Sequence, residues 1–181
     1  MNKQYLQDNF DHFNEPKAFI KLAIALVDEL KNHVNTYKKP LGHFDARMIE
    51  IKNINDDLTV SIIKSQKNNT ENNVQSQFEN NSMHSEIDYR PDIYLLGQLL
   101  YEIITKQPFN DQNDLIVLFK DYPEIPDTIQ LLLQKLLFSH QNDRYQTYDG
   151  ILFDLKKCRS QLEMKNNIEF FLPGEKDKRK H

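Results

Sequence analysis

Residues able to do chemistry are sparse in this chain. Cys158 is its one cysteine, which excludes an internal disulfide framework and a cysteine-type zinc site. It falls on an apolar position of an expected helix, so a buried structural thiol is expected there and not a nucleophile. Glycines stand only at positions 42, 97, 150 and 174. No G-x-G-x-x-G and no G-x-x-x-x-G-K-S/T can be built from them, so a glycine-rich loop cradling phosphates is excluded. His33 lies near the end of an expected helix and reads as structural. The one basic run, KDKRKH, is terminal and is expected to be a solvated end and not a phosphate-binding patch.

The elements that would position a site are clearer. The stretch Pro91 to Phe109, PDIYLLGQLLYEIITKQPF, places Ile93, Tyr94, Leu95, Leu96, Leu99, Leu100, Tyr101, Ile103 and Ile104 around nearly the whole of a helical wheel. A helix apolar on every side is buried or spans a membrane. At this length, with Asp92, Gln98 and Glu102 in it, burial is the reading that holds. Pro91 suits a first helical turn, and Lys106 with Pro108 marks the stop.

Before it, Asn14 can cap a helix opened by Glu15 and Pro16. Phe19, Leu22, Ala23, Leu26, Val27, Leu30 and Val34 follow at spacings of three and four. Met48–Ile51 and Leu58–Ile63, separated by Asn- and Asp-rich turn residues, predict one small β-hairpin. Residues 65–85 are dominated by Asn, Gln, Ser and Glu and read as a mobile loop. A short helical stretch over Leu115–Lys120, a leucine-rich helix after Pro126 and a last helix from about Thr147 complete the core. The domain is expected over 16–165, with 1–15 an arm or short helix and 166–181 a strap and basic tail.

The 181 residues suffice for one domain with a real core. A net charge of −4 offers no electrostatic attraction for nucleic acid, and no apolar run approaches a membrane span. Without a signal peptide the expected compartment is the cytoplasm.

The order helix, broken loop, hairpin, long loop, buried helix after Asp, helix, Arg, helix resembles a protein-kinase C-terminal lobe. DIYLLGQLLYEIITKQPF is similar to the kinase stretch in which an Asp-Ile/Leu-Tyr-Ser-Leu-Gly helix ends in Leu-Thr-Gly-x-x-Pro-Phe. Asp143-Arg144-Tyr145 resembles the arginine segment before the last kinase helix. EIDYRPDIYLLG, LLQKLLFSHQNDRYQTYDGILFDLKKC and IEFFLPGEKD are similar to the N-terminal kinase-like module of bacterial hybrid sensor proteins that carry an AAA-type ATPase and a histidine kinase. The resemblance covers about residues 16–177. It implies a mainly α fold, a kinase C-lobe-like helical domain with one small β-hairpin, with the N-terminal lobe absent from this chain.

Kinase chemistry needs a phosphate cradle, metal-binding side chains and a residue that receives the substrate hydroxyl proton. The segment Leu41-Gly42-His43-Phe44-Asp45-Ala46-Arg47-Met48-Ile49-Glu50-Ile51 lines up with the family's catalytic loop. In one register His43 occupies the base position and Met48 the metal-binding Asn position, and a thioether is a poor ligand for Mg²⁺. A second register keeps Asp45 as base and puts Glu50 at the Asn position, but disturbs the hairpin strand. In either, Lys64 stands where the family's metal-binding Asp-Phe-Gly carboxylate should follow the second strand.

What the resemblance retains is structural. It implies that Asp92 hydrogen-bonds the catalytic-loop backbone and that Arg144 pairs with Glu79, or with Glu86. The expectation is therefore a catalytically inactive kinase-like lobe with no cofactor and no metal, acting as a regulatory or protein-interaction module. Its partner would be a sensor-kinase/ATPase module or a separate N-lobe, and an apolar patch at Met48, Ile49, Ile62 and Ile63 is expected to bind either a partner or another copy. The alternative is a serine/threonine kinase completed by a separate N-lobe, using ATP and Mg²⁺ with Asp45 and Glu50.

Overall fold

A computed structural model of the chain describes residues 3–54, 57–63, 88–110 and 119–171. Lys64, Glu79, Glu86, the segment 65–85, most of the 115–120 stretch and the basic tail lie outside these residues.

The first long helix, α1 (Pro16–Tyr37), begins as its proline dictates, with Pro16 in the first turn. Its cap is Glu15 and not Asn14. Glu15 holds the extended backbone of a half-in residue and accepts the Ala18 N–H at 3.2 Å. Asn14 is already spent closing the preceding 3-10 segment in a right-handed helical conformation. The helix ends where Lys38 turns left-handed (φ 55°) and returns its N–H to the Val34 carbonyl, a common way to close a last turn. The apolar face from Phe19 to Val34 is buried throughout.

The residues expected as an N-terminal arm are, where described, part of the domain. Gln4–Tyr5 forms a short strand, β1, and Leu6–Phe13 a 3-10 segment whose Leu6 and Phe13 enter the core. The predicted hairpin is present as β2 (Ile49–Ile54) and β3 (Asp57–Ile62). With β1 added, the sheet is three-stranded and antiparallel, in the order β1-β2-β3. Its register pairs Tyr5 with Glu50, Ile49 with Ile62 and Ile51 with Val60. Ile49, Ile51 and Val60 are buried, as the two-residue period of a strand requires of one face.

The apolar wheel at the chain's centre becomes α2 (Arg90–Thr105), which ends at the left-handed Lys106. Within it, among residues 91–105, only Pro91 is exposed. Beyond it come α3 (Asp127–Leu137) and α4 (Tyr148–Phe171). The backbone of the expected strap is therefore helical as far as Phe171. The Thr147 hydroxyl opens α4 by accepting the Gly150 N–H at 3.2 Å. Helix α1 packs on α4 and on β3, and α2 packs on α3. Tyr101 of α2 meets Phe109 and Phe119 edge-on, closing the far end of the core.

The α2–α3 contact is made at Gly97. A Cβ built there would lie 2.9 Å from Leu136 Cβ and 3.0 Å from a Leu137 methyl, closer than packed carbons approach. Gly97→Ala is expected to cost about 1–3 kcal/mol by overpacking, measured as a lower urea midpoint. Gly150→Ala, where the nearest atoms lie at 3.5 Å, is the matched control and is expected to hold or raise stability.

Candidate functional site

The site is organised from behind by Asp92. It stands in the first turn of α2 and is wholly buried, so its carboxylate needs partners. It has three. Oδ2 accepts the Leu41 N–H at 2.7 Å, Oδ1 accepts the Gly42 N–H at 2.9 Å, and the Tyr148 hydroxyl donates to Oδ2 at 3.2 Å. The loop after α1 is thereby tied to the starts of α2 and α4 at once. Gly42 sits at φ 84°, a conformation other residues enter only under strain, and this lets consecutive N–H groups face one carboxylate.

From that tether the loop rises to the surface. Phe44 is buried as an anchor, while His43 on one side is exposed and Asp45 on the other is half-exposed. Asp45 opens a short 3-10 turn, Ala46–Met48. Its Oδ1 accepts the Arg47 N–H at 2.8 Å, and the Arg47 guanidinium grips both carboxylate oxygens, Nη2 to Oδ2 at 2.6 Å. The Arg47 side-chain hydrogen bond holds the Asp45 carboxyl below its usual range, against a smaller opposing effect of burial. Met48 donates to the Asp45 carbonyl at 3.0 Å, and its own carbonyl accepts from Ile63 N–H at 2.7 Å, which joins the turn to the end of β3.

A cavity of about 730 Å³ lies over this loop. His43, Asp45, Arg47 and Met48 line it from the loop, Tyr5 from β1, His33 from α1, Lys39 and Leu41 from the connection, and Ile63 from the end of β3. His33 thus reaches the cavity wall, where its ring also packs on Tyr37 at 4.6 Å. His43 and Asp45, the base positions of the two registers, and Met48 all line this cavity. The structure does not bring Glu50 to Asp45. Glu50 lies on β2 opposite Ser61, with its carboxylate 3.9 Å from Lys3. Among the described residues no group of three His, Cys, Asp or Glu side chains could hold a metal ion. Lys64 is outside those residues.

Arg144 takes part in a second junction. Its guanidinium lies 4.0 Å from the centre of the Tyr94 ring, and it donates to the Phe138 and Ser139 carbonyls just past the end of α3. A cation over an aromatic face and at helix-terminal carbonyls is favourable on both counts. Glu79 and Glu86, its expected partners, fall outside the described residues. The expected apolar patch is altered by Ile49, which is fully buried because it faces the core side of β2. Met48, Ile62 and Ile63 are half-buried. Cys158 is buried with Sγ 3.5 Å from the Thr128 carbonyl, and burial pushes its thiol pKa up.

Sequence reasoning missed Tyr148 and Arg47. An aspartate followed two residues later by its own backbone donor is a familiar turn signal and could have marked the Asp45–Arg47 turn. No local signal marks Tyr148, which meets Asp92 across 56 residues of chain.

Two measurements check this framework. Asp92→Ala strands the Leu41 and Gly42 donors and is expected to cost about 1–3 kcal/mol for each, with the loop losing amide protection in hydrogen exchange. The second is alkaline titration. Burial, chiefly, raises the hydroxyl pKa of Tyr148 (then the Asp92 charge) and of Tyr145 (then its bond to Asp154) far above the ordinary 10.0. The unfolded chain releases these protons near pH 10 while the folded chain keeps them, so above that pH the unfolded state binds fewer protons and stability falls as pH rises. Urea midpoints are expected to decline above about pH 10, with a smaller decline in Tyr148→Phe.

No protein-family model matches the chain. A segment of it is 34% identical over 84 residues to a probable serine/threonine-protein kinase, CPE1738, of Clostridium perfringens, covering 40% of this chain and 12% of that protein. A comparable segment is 35% identical over 77 residues to the tyrosine-protein kinase MasK of Myxococcus xanthus, covering 36% of this chain and again 12% of the relative. The chain therefore spans only a small part of the length of these relatives. Among solved structures, the kinase domain of PknI from Mycobacterium tuberculosis, determined as a double mutant, superposes with a TM-score of 0.57 at 13% identity. That superposition covers 87% of this chain and 62% of the PknI domain. With its buried aspartate helix, its loop and its small sheet in the arrangement of a kinase C-terminal lobe, the chain has a protein-kinase-like fold.

Proposed function

We propose that this domain is a catalytically inactive kinase-like lobe that serves signalling as a regulatory, protein-binding module. The observation that carries this reading is the state of the cavity's polar residues. In the first register Met48 occupies the metal-ligand position of the loop, and a thioether does not compete with water for a hard cation. Asp45 is the one carboxylate among the described lining residues, and Arg47 already occupies both of its oxygens. The residue that follows Ile63 is a lysine, a charge that repels the ion phosphoryl transfer requires. Asp92 and its donors, by contrast, are all in place, so the loop's shape is kept without its metal chemistry. The resemblance to the kinase-like module of hybrid sensor proteins supports a sensor-kinase/ATPase module as the binding partner. Among the described residues no helix is long and apolar enough to cross a membrane.

One observation favours a second reading. Asp45 faces the cavity from a loop aligned with the family's catalytic loop, so a serine/threonine kinase completed by another chain's N-lobe would use it as base.

Thermal melting with ATP separates the two. A ligand at 100 times its Kd stabilises a fold by about 2.7 kcal/mol. Under the inactive reading, adding Mg²⁺ to ATP gives no rise beyond that seen with ATP in EDTA, and no γ-phosphate is transferred to a protein substrate. A Mg²⁺-dependent rise, or transfer abolished by Asp45→Asn, establishes the enzyme instead.

A further inference from the structure

We propose that the cavity over the 41–48 loop binds a phosphate monoester carried on a small apolar body, and does so without a metal ion. The proposal deepens the reading above, because it rests on the same loss of metal ligands.

The charges lining the cavity select the sign of the ligand. Lys39 and Arg47 contribute two cations, the second paired with Asp45, so the described fixed charges leave one net positive charge, to which His33 and His43 add imidazoles. Against them stands Asp45 alone among the described lining residues, and its oxygens are held by Arg47. This lining is not inherited from the whole chain, whose net charge is −4. Asp92 lies behind the cavity floor, but its oxygens are turned to the Leu41 and Gly42 N–H groups and the Tyr148 hydroxyl. Glu50 is directed to Lys3. Among the described lining residues, a cation would thus meet a net positive charge, and an anion would meet no carboxylate that is not already held by a partner.

The chemistry narrows the anion. A guanidinium and an ammonium lining one cavity suit the tetrahedral, doubly charged phosphate ester, which offers several acceptor oxygens to a planar fork and a point charge. Leu41, Met48, Ile63 and the Tyr5 ring line the same space. A bare oxyanion would leave that surface uncovered, whereas an aromatic or aliphatic ester group would bury it. A volume of about 730 Å³ also suits a small organic molecule. Because Lys39 and Arg47 are exposed, affinity is expected in the millimolar range or tighter, weakening as salt rises.

The test is calorimetric titration of the full chain in EDTA with phenyl phosphate, with inorganic phosphate and benzyl alcohol as comparators. Phenyl phosphate is expected to bind tighter than inorganic phosphate, and benzyl alcohol not to bind. Lys39→Glu and Arg47→Glu are each expected to weaken phenyl phosphate by about tenfold or more, while Lys156→Glu, exposed on α4 away from the cavity, leaves it unchanged. Melting curves establish that each variant is folded. Since Arg47→Glu also frees Asp45, Lys39→Glu decides by itself if the loop variant misfolds. Absence of binding with and without Mg²⁺, equal binding of phenyl and inorganic phosphate, or indifference to Lys39→Glu overturns this proposal and leaves the inactive-lobe reading standing. Binding that requires Mg²⁺ overturns both.

Discussion

A single buried carboxylate organises this molecule. Asp92 is removed from water at the start of the most deeply buried helix, and such a charge is tolerated only where donors surround it. The donors come from two places far apart in sequence, the backbone at Leu41–Gly42 and the hydroxyl of Tyr148. Satisfying the carboxylate therefore sets three elements against one another: the exit of α1, the start of α2 and the start of α4. The position of Phe44, the turn at Asp45, and the joint between Met48 and the end of β3 all follow from where that tether holds the chain.

The tether and the cavity face opposite sides of the same loop, and this explains how one can persist while the other changes. Asp92 and Tyr148 lie behind the backbone, where a substitution leaves a buried polar group without a partner. His43, Asp45 and Arg47 lie in front, at least partly in water, and their identity bears little on packing. Side chains kept for chemistry are generally those a fold can change at small cost in stability. A kinase-like lobe can thus keep its framework while the front of its loop takes on a different polarity.

Much of the fold was legible because its signals are local or periodic. The all-round apolar character of 93–104 announced a buried helix, the three-and-four spacing of Phe19–Val34 announced α1, and two short strand-like stretches around Asn- and Asp-rich turn residues announced the hairpin. The order of these elements led to the kinase-like architecture, and Asp92 was legible through it. Other features depended on contacts with no local trace. Leu6 is buried because β1 adds to a sheet formed 45 residues later, so an arm was expected where part of the core stands. Glu15 displaced Asn14 as cap because the preceding 3-10 segment claims Asn14. Ile49 looked available for a surface patch only while the buried side of its strand was unknown.

The hairpin carries one further consequence through Glu29. From α1 this carboxylate accepts the Ile62 N–H at 3.3 Å, occupying an outward-pointing donor on the far edge of β3. An open strand edge invites another chain to extend the sheet; here a side chain from the adjoining helix holds that position. A protein that docks on this end of the domain meets a boundary already closed to strand addition at Ile62.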